Sequence, residues 1–541
     1  MIRTEARPCA SPPRRLLCPS ARFPSASHLC SALTGSPLTK ASPHPTLSAV
    51  ISNSLANMPR LPPLAGGGDA SDAGRYRYCE LGYGQGVSGN LHAAANPRGS
   101  FWGTDFLPEH ALFAQDLAQR AGLDARWLSR SFQDLLAEDL PEFDFVTLHG
   151  VWSWIDADAR AAVVEFLRRR LKVGGVVYLS CNVMPGWASE KPLRDLMHLH
   201  TELASPPGDP TASRIRRSVD FADRLRQGRA AFFAHHPPAV QMLEDLQRDE
   251  VQVVAHEYFN RSWHIGYFAD VARALEPAGL QFACSAHKSD LVGEVQQRAQ
   301  GRGLDGLDPT LRETAHDFIL NRRFRRDLFV RGARRLLPAE REQRLLDLSF
   351  VLLRPGAGGQ STVQTPYGSV ALDPQVLRPL LAALEAASAP LPLRQLRDEA
   401  GLAEVAIEQL LHVLVALVAQ GHVFPAFADD AGHAGAARAR AINRVVAERA
   451  RQDDLLRYLA SPLTGHAFEA SRPERLMLAA WEDGARDPVA LAEALRQASP
   501  GSELDLGSGD AQATPLGEAE RFLARVAPAW QRLGLMDCPL A

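Results

Sequence analysis

Lysine is almost missing from this 541-residue chain: Lys40, Lys172, Lys191 and Lys288 are the only four, and arginine supplies the rest of the 59 basic residues. Against 62 acidic residues the formal net charge is −3, which excludes a general attraction to nucleic acid or to an acidic membrane surface. Long apolar runs are missing as well. The longest, LLHVLVALVA at 410–419, reaches about half of the ~20 residues that a membrane-spanning helix needs. Cysteine is scarce and unpatterned: of seven, Cys9, Cys18 and Cys30 crowd the first thirty residues, while Cys79, Cys181, Cys284 and Cys538 stand singly. Without a C-x-x-C pair there is no disulfide ladder, and a reducing, cytoplasmic setting is the better reading.

What is present divides the chain, which is too long for one core. Residues 1–74 are rich in Ser, Pro, Ala and Arg, with Glu5 the only acid before Asp69, and read as a disordered N-terminal extension. Such a segment is either transit-peptide-like or a start placed too early, with Met58 as a later candidate; the second reading is preferred. From 75 to 205 the pattern alternates strand and helix, the mark of a doubly wound sheet. Strands are expected at 76–81, 100–106, 125–132, 143–150 and 175–182, helices at 108–122 and 157–171, and a turn at Gly174–Gly175. After the SPPGDP linker, residues 206–300 turn largely helical. Residues 301–430 hold a basic helix-to-strand stretch and then two helices, a turn, an apolar helix and a strand, a winged-helix-like outline. Residues 431–541 repeat that theme more loosely.

The chemistry is concentrated in YRYCELGYGQGVSGNLH, residues 76–92. Its glycines admit two readings. Gly84, Gly86 and Gly89 form the G-x-G-x-x-G of a dinucleotide fold. Glu80, Gly82, Gly84 and Gly86 form instead the E-x-G-x-G-x-G loop of class I methyltransferases. A strand that turns sharply against a ligand needs residues without a Cβ, so the glycines alone do not decide. The acids do. Asp105, 19 residues beyond Gly86, stands where a carboxylate accepts hydrogen bonds from ribose hydroxyls in either fold. Glu80, two residues before the first glycine, suits a ligand carrying a sulfonium and an ammonium group and disfavours a pyrophosphate. Asp134, after the third strand, is placed to meet the exocyclic amine of adenine. Acids at the ends of three successive strands point to S-adenosyl-L-methionine.

The combination ELGYGQGVSGNLHAAA, WGTDF, LHGVWSW, LKVGGVVYLSCNVMPGW and HEYFNRSWHIGYFADVARAL resembles the class I S-adenosylmethionine-dependent methyltransferases that carry a methyltransferase regulatory domain. These are similar to the protein-lysine methyltransferases that modify bacterial outer-membrane proteins. The resemblance covers roughly residues 75–540 and implies an α/β Rossmann-like methyltransferase domain with a seven-stranded sheet over about 75–205, a mainly helical regulatory domain and a C-terminal winged-helix-like α+β region. Carried onto this chain it gives cofactor-binding residues Glu80, Gly82, Gly84, Gly86, Asp105, Phe106, Asp134, His149 and Gly150. In such relatives a tyrosine-rich segment precedes the glycine loop, whereas here the corresponding stretch is NSLANMPRLPPLAGGGDASDAG.

His149 and Trp154, after the fourth strand, are expected to line a methyl-transfer channel together with the loop from Asn182 to Trp187, because ligands of open α/β sheets bind at the carboxyl ends of strands. No general base is assigned. Other constellations carry less. HEYFN at 256–260 lacks the second histidine that a zinc helix needs, so no metal is expected; its aromatics either cover the cleft or build the regulatory core. NRRFRRDLFVRGARR at 321–335 reads as arginines paired with neighbouring acids in preference to an RNA-binding strip. The apolar helix over 403–420 has no Lys or Arg, which argues against a DNA reader. The expected activity is methyl transfer to a protein side chain, lysine, without nucleic acid or membrane insertion. The alternatives are a small-molecule methyltransferase and a cofactor-binding scaffold.

Overall fold

The strand Tyr-Arg-Tyr-Cys-Glu-Leu buries its last four residues without alternation, which marks a strand covered on both faces. This strand, β1 (Tyr76–Leu81), is followed by β2 (Gly99–Asp105), β3 (Ala125–Ser129), β4 (Phe143–Leu148) and β5 (Leu171–Asn182), all parallel in the order β3-β2-β1-β4-β5. The computed structural model describes residues 75–537 except 207, 250, 288–289, 291–303, 305, 333–336, 354–360, 366–367, 428–430 and 499–513. The N-terminal segment 1–74, including the stretch that stands in place of a tyrosine-rich one, lies outside the described residues.

Helices connect the parallel strands. Pro108–Arg120 buries Ala111, Ala114 and Ala118 against Trp127 and Tyr83. On the other face, Ala157–Arg170 starts from an Asp156 cap and packs Val163, Phe166 and Leu167 on Leu148, Val177 and Leu179. A fully buried phenylalanine such as Phe166 contributes about 1.5–3 kcal/mol.

The sheet has seven strands, but they do not all come from 75–205 as expected. Five do. The last two are β6 (Leu280–Ser285) and β7 (Phe324–Arg331), giving the order β3-β2-β1-β4-β5-β7-β6 with β7 antiparallel to both neighbours. In β7 the strand pattern is masked by arginines. Arg325 is buried because it lies between Glu313, Asp317 and Asp327, with its guanidinium 4.2 Å from the Phe268 ring. The expected turn at Gly174–Gly175 is likewise an irregularity inside the twelve-residue β5: Leu171 pairs with Phe143 and Val176 with Phe145, and Gly174 takes a φ of 85°. The expected third strand stops at Ser129, and Phe132–Leu135 is a short helix.

Between β5 and β6 the helices Lys191–Leu203, Thr211–Gln227, Ala231–His235, Pro237–Arg248 and Val251–Tyr258 share a small core of Leu193, Met197, Ile215, Leu243 and Val254. The next helix, Phe268–Leu275, returns to the sheet core. Farther on, helices Pro374–Ala386, Leu393–Glu399 and Ile407–Ala419 pack with a three-stranded sheet, in the order Leu391–Pro392, Ser349–Leu352, Val423–Ala426, around Leu380, Leu393 and Leu414. The C-terminal helix Ala431–Arg449 then lies against the first helix of the sheet domain, Val87–Ala95, so that Ala439, Ile442 and Val446 share a core with Leu91, Ala94 and Ala95.

Candidate active site

The glycine loop leaves β1 through three left-handed residues, Gly82, Gly84 and Gly86, with φ of 75°, 58° and 67°. A side chain at Gly82 would strike Val151 at 2.5 Å and one at Gly86 would strike Ala114 at 2.5 Å, while one at Gly84 would meet nothing. The loop is therefore closed by packing at two glycines and open at the third. The helix that follows is held from behind: Asn90 donates from Nδ2 to the carbonyls of Gly86 (3.0 Å) and Ala114 (2.9 Å) and accepts from Trp127 Nε1 at 3.1 Å. Gly89, the third residue of the G-x-G-x-x-G pattern, sits where a Cβ would collide with the Trp127 ring, so it serves helix–sheet packing.

Two carboxylates flank this loop. Asp105, 7% exposed, accepts from Gly84 N (3.0 Å) with one oxygen and from Leu107 N (3.0 Å) with the other, which also meets His110 Nδ1 at 3.1 Å. Glu80, 2% exposed, accepts from Ser88 Oγ at 2.8 Å. Burial pushes its carboxyl up to about 7, against the opposing pull of the Ser88 hydrogen bond. A carboxyl held this high is readily ionised by a cation brought beside it. Phe106 projects from the end of β2 with 70% of its surface exposed. Asp134 lies in the first turn of its short helix, where Ser131, the cap residue, donates to its Oδ2 at 2.7 Å and accepts from its backbone N at 3.1 Å. It thus stands at the third helical position, tied to the cap residue's hydroxyl, with an exposed side chain.

At the carboxyl ends of β4 and β5, Ser180 Oγ accepts from Gly150 N (2.8 Å) and lies 3.3 Å from His149 Nδ1, which also meets Tyr178 OH at 3.0 Å. The His149 ring stacks on Tyr178 and meets Phe324 edge-on, 6.5 Å between centroids. Burial, and then the charge of Arg326, push the His149 imidazole down to about 3. It is neutral at physiological pH and too weak a base to take a proton from an ammonium group.

The residues expected at the channel mouth come together, and distant ones join them. Asn182 N donates to Ser153 Oγ and His264 N to Ser153 O, both at 2.8 Å, while Val183 bridges to Gly266. Trp154 and Trp187 stand 6.4 and 5.2 Å from Trp263. Arg194 covers Trp263 at 4.7 Å and Arg323 covers Trp187 at 4.0 Å. The aromatics of HEYFNRSWH divide: Tyr258 and Phe259 pack on the core of Leu193, Met197 and Val254, while Trp263 meets Trp154 and Trp187. Sequence reasoning missed Tyr178, Arg323 and Arg326. Tyr178 lies inside an apolar run, and both arginines lie in a strand read as a general basic strip.

Known proteins give the same picture. Residues 79–177 match the family "Methyltransferase domain" and residues 250–331 the family "Predicted methyltransferase regulatory domain". An uncharacterised protein of Synechocystis sp. is 38% identical over 410 residues, 75% of this chain and 80% of the relative. An uncharacterised protein of Rickettsia prowazekii is 25% identical over 269 residues, 48% of this chain and 47% of the relative. In fold, the chain is similar to PKMT2 from Rickettsia typhi, solved in complex with AdoHcy: TM-score 0.60 at 17% identity, over 91% of this chain and 97% of that one. Among the described residues no helix is long and apolar enough to cross a membrane. The cofactor is S-adenosylmethionine, which the open turn at Gly84 and the buried Glu80 and Asp105 fit. The chain belongs to the class I S-adenosylmethionine-dependent methyltransferases that carry a methyltransferase regulatory domain.

Proposed function

We propose that this methyltransferase transfers methyl groups to lysine side chains of a protein. The observation that carries the reading is the mouth of the site: its tryptophans are contributed by the sheet (Trp154, Trp187) and by the accessory region (Trp263), as suits an acceptor presented on a macromolecule. The motif resemblance to outer-membrane-protein lysine methyltransferases points the same way.

S-adenosylmethionine supplies a methyl carbon on a cationic sulfur, open to in-line displacement by a nitrogen lone pair. Glu80 and the Gly82–Gly86 backbone hold the charged amino-acid end, and Asp105 takes the ribose hydroxyls. Phe106 would cover the adenine, and Asp134 would offer its exocyclic amine the oxygen not engaged by Ser131. His149, with Gly150, closes the floor between cofactor and acceptor and, being neutral, orients without taking a proton. Trp154 lines the channel and excludes water, so that alignment of the two reactants supplies several kcal/mol of the rate enhancement. Two buried arginines of the regulatory region, Arg322 and Arg325, are taken up by acids, which argues against a nucleic-acid acceptor on that strand.

The test is incubation of the purified enzyme with methyl-labelled S-adenosylmethionine and candidate outer-membrane proteins, followed by mass spectrometry. Methyl groups on lysine nitrogen are expected. Label found only on small molecules, or as base-labile carboxyl esters, overturns the reading. Failure to bind S-adenosylhomocysteine would make the protein a scaffold.

A further inference from the structure

Four arginines stand in the run Arg322-Arg323-Phe324-Arg325-Arg326. Three are met by carboxylates: Arg322 by Asp290 at 2.9 Å, Arg323 by Glu190 at 2.8 Å, and Arg325 by Asp317 at 2.6 Å with Glu313 and Asp327 around it. Arg326 is different. Among the described residues no carboxylate pairs with it, and its buried Nε has no hydrogen-bond partner. Alternation along β7 sends Arg325 toward Phe268 and Arg326 to the opposite face, where its cross-strand partner is Ser180, the residue that holds Gly150 and touches His149. The Phe324 ring stands between, 5.7 Å from the Arg326 guanidinium and 6.5 Å from the His149 ring.

We propose that Arg326 is a positioning residue for the acceptor: its charge, met by no carboxylate among the described residues and set beside the channel, keeps the incoming lysine amine deprotonated. This rests on the lysine reading above. Only the neutral amine has the lone pair that attacks: the N–C bond forms as the C–S bond breaks, the electron pair stays on sulfur, and the proton left on the methylated nitrogen passes to water. An ammonium must therefore lose its proton first, and a neighbouring cation favours that loss. The groups facing the channel do not cancel the effect. His149 and Tyr178 face it from β4 and β5, and His287 from beyond β6 is itself pushed down to about 4 by burial, with Arg326 adding to this against the pull of Asp290. Asp327 is engaged by Arg325 and Glu190 by Arg323, while Glu80 and Asp105 stand on the cofactor side. A unit charge about 7 Å away in a partly buried site moves a titration by about one to two units.

The test uses a lysine peptide cut from the acceptor that the labelling experiment identifies. Methylation is followed against pH for wild type, Arg326→Gln and Arg326→Lys, and proton release on peptide binding to the S-adenosylhomocysteine complex is measured by calorimetry in two buffers. In Arg326→Gln the half-maximal pH of kcat should rise by about one unit, and proton release on binding should fall. Arg326→Lys should restore both. A raised KM with an unchanged pH profile overturns the proposal and makes Arg326 an anchor for an acidic neighbour; no change in either readout overturns it too. Unaltered S-adenosylhomocysteine affinity checks the folding of the variants. Should the Gln variant not fold, wild-type binding without proton release is itself enough to overturn the proposal. Failure of the lysine reading is distinguishable, because it appears in the wild type as label on other atoms.

Discussion

Buried charge occurs at both ends of the sheet, with opposite treatment. Around β7 the carboxylates close on an internal cation: Asp317, Asp327 and Glu313 approach Arg325 within 2.6–3.0 Å and the guanidinium also covers Phe268, although burial still raises Asp317 to about 7. Around β1 and β2 the carboxylates meet hydroxyl and amide groups, Ser88 for Glu80 and the Gly84 and Leu107 amides for Asp105, and burial leaves Glu80 with its carboxyl raised to about 7. The first cluster has its counter-charge within the protein, so its role is structural. The second invites a cation and a set of hydroxyls from outside.

The largest effect is expected where the counter-charge is internal. Arg325→Met strips the counter-charge from three buried acids, and breaking such a network costs about 3–5 kcal/mol. Denaturant unfolding should register it, and a loss below about 1 kcal/mol would mean that the network is not what holds β7 in the sheet.

Next comes Asp105→Ala. A hydrogen bond to a charged group is worth about 1.5–3 kcal/mol, so S-adenosylhomocysteine should bind about one to two decades more weakly in calorimetry, with a lowered unfolding midpoint from the lost bonds to the Gly84 and Leu107 amides. NADH should not compete in wild type. Tighter binding of NADH would return the loop to the dinucleotide reading.

Glu80 sharpens the contrast through pH. Its folded value, about 7, lies above the ordinary 4.5, so the folded protein holds an extra proton between those values. Stability from this group is complete below about 4.5 and is lost as pH rises through about 7. Affinity for S-adenosylmethionine should rise over the same interval as Glu80 ionises. Glu80→Gln should flatten both curves, and a variant that retains the wild-type slopes would assign them to another group.

The smallest effect belongs to the mouth. Cation–π and aromatic contacts contribute about 0.5–2 kcal/mol each, so Trp263→Ala should raise the acceptor KM several-fold and leave cofactor affinity unchanged. A change in cofactor affinity instead would mean that the tryptophan supports the glycine loop.

The parts of this arrangement legible in the sequence are those written locally. Gly82, Gly84 and Gly86 take the left-handed conformations their pattern implies, and Glu80 and Asp105 flank the loop because strand ends fix them there. Asp134 was equally visible, but a side chain three residues after Ser131 also satisfies a helix cap, a competing use that spacing alone does not separate. What escaped was long-range. β6 and β7 rejoin the sheet about a hundred residues after β5, and Trp127–Asn90, which locks the loop from behind, links two residues with no local motif between them. In β7 charge hid the strand, since Arg325 and Asp327 neutralise each other on a face where apolar residues would be looked for.

The contact between helix Val87–Ala95 and helix Ala431–Arg449 has a consequence in time. Asn96, at the end of the first helix, donates to the carbonyl of Gly465, 369 positions later. At about 5–20 residues per second, a ribosome takes roughly 20–70 seconds to cover that distance. During that interval Leu91, Ala94 and Ala95, just behind the cofactor loop, have no C-terminal surface to cover them. The loop helix of the nascent chain thus stays bare on this face until helix Ala431–Arg449 has emerged. Enzyme released before that point would lack the backing for its cofactor loop, which ties catalytic competence to completed synthesis.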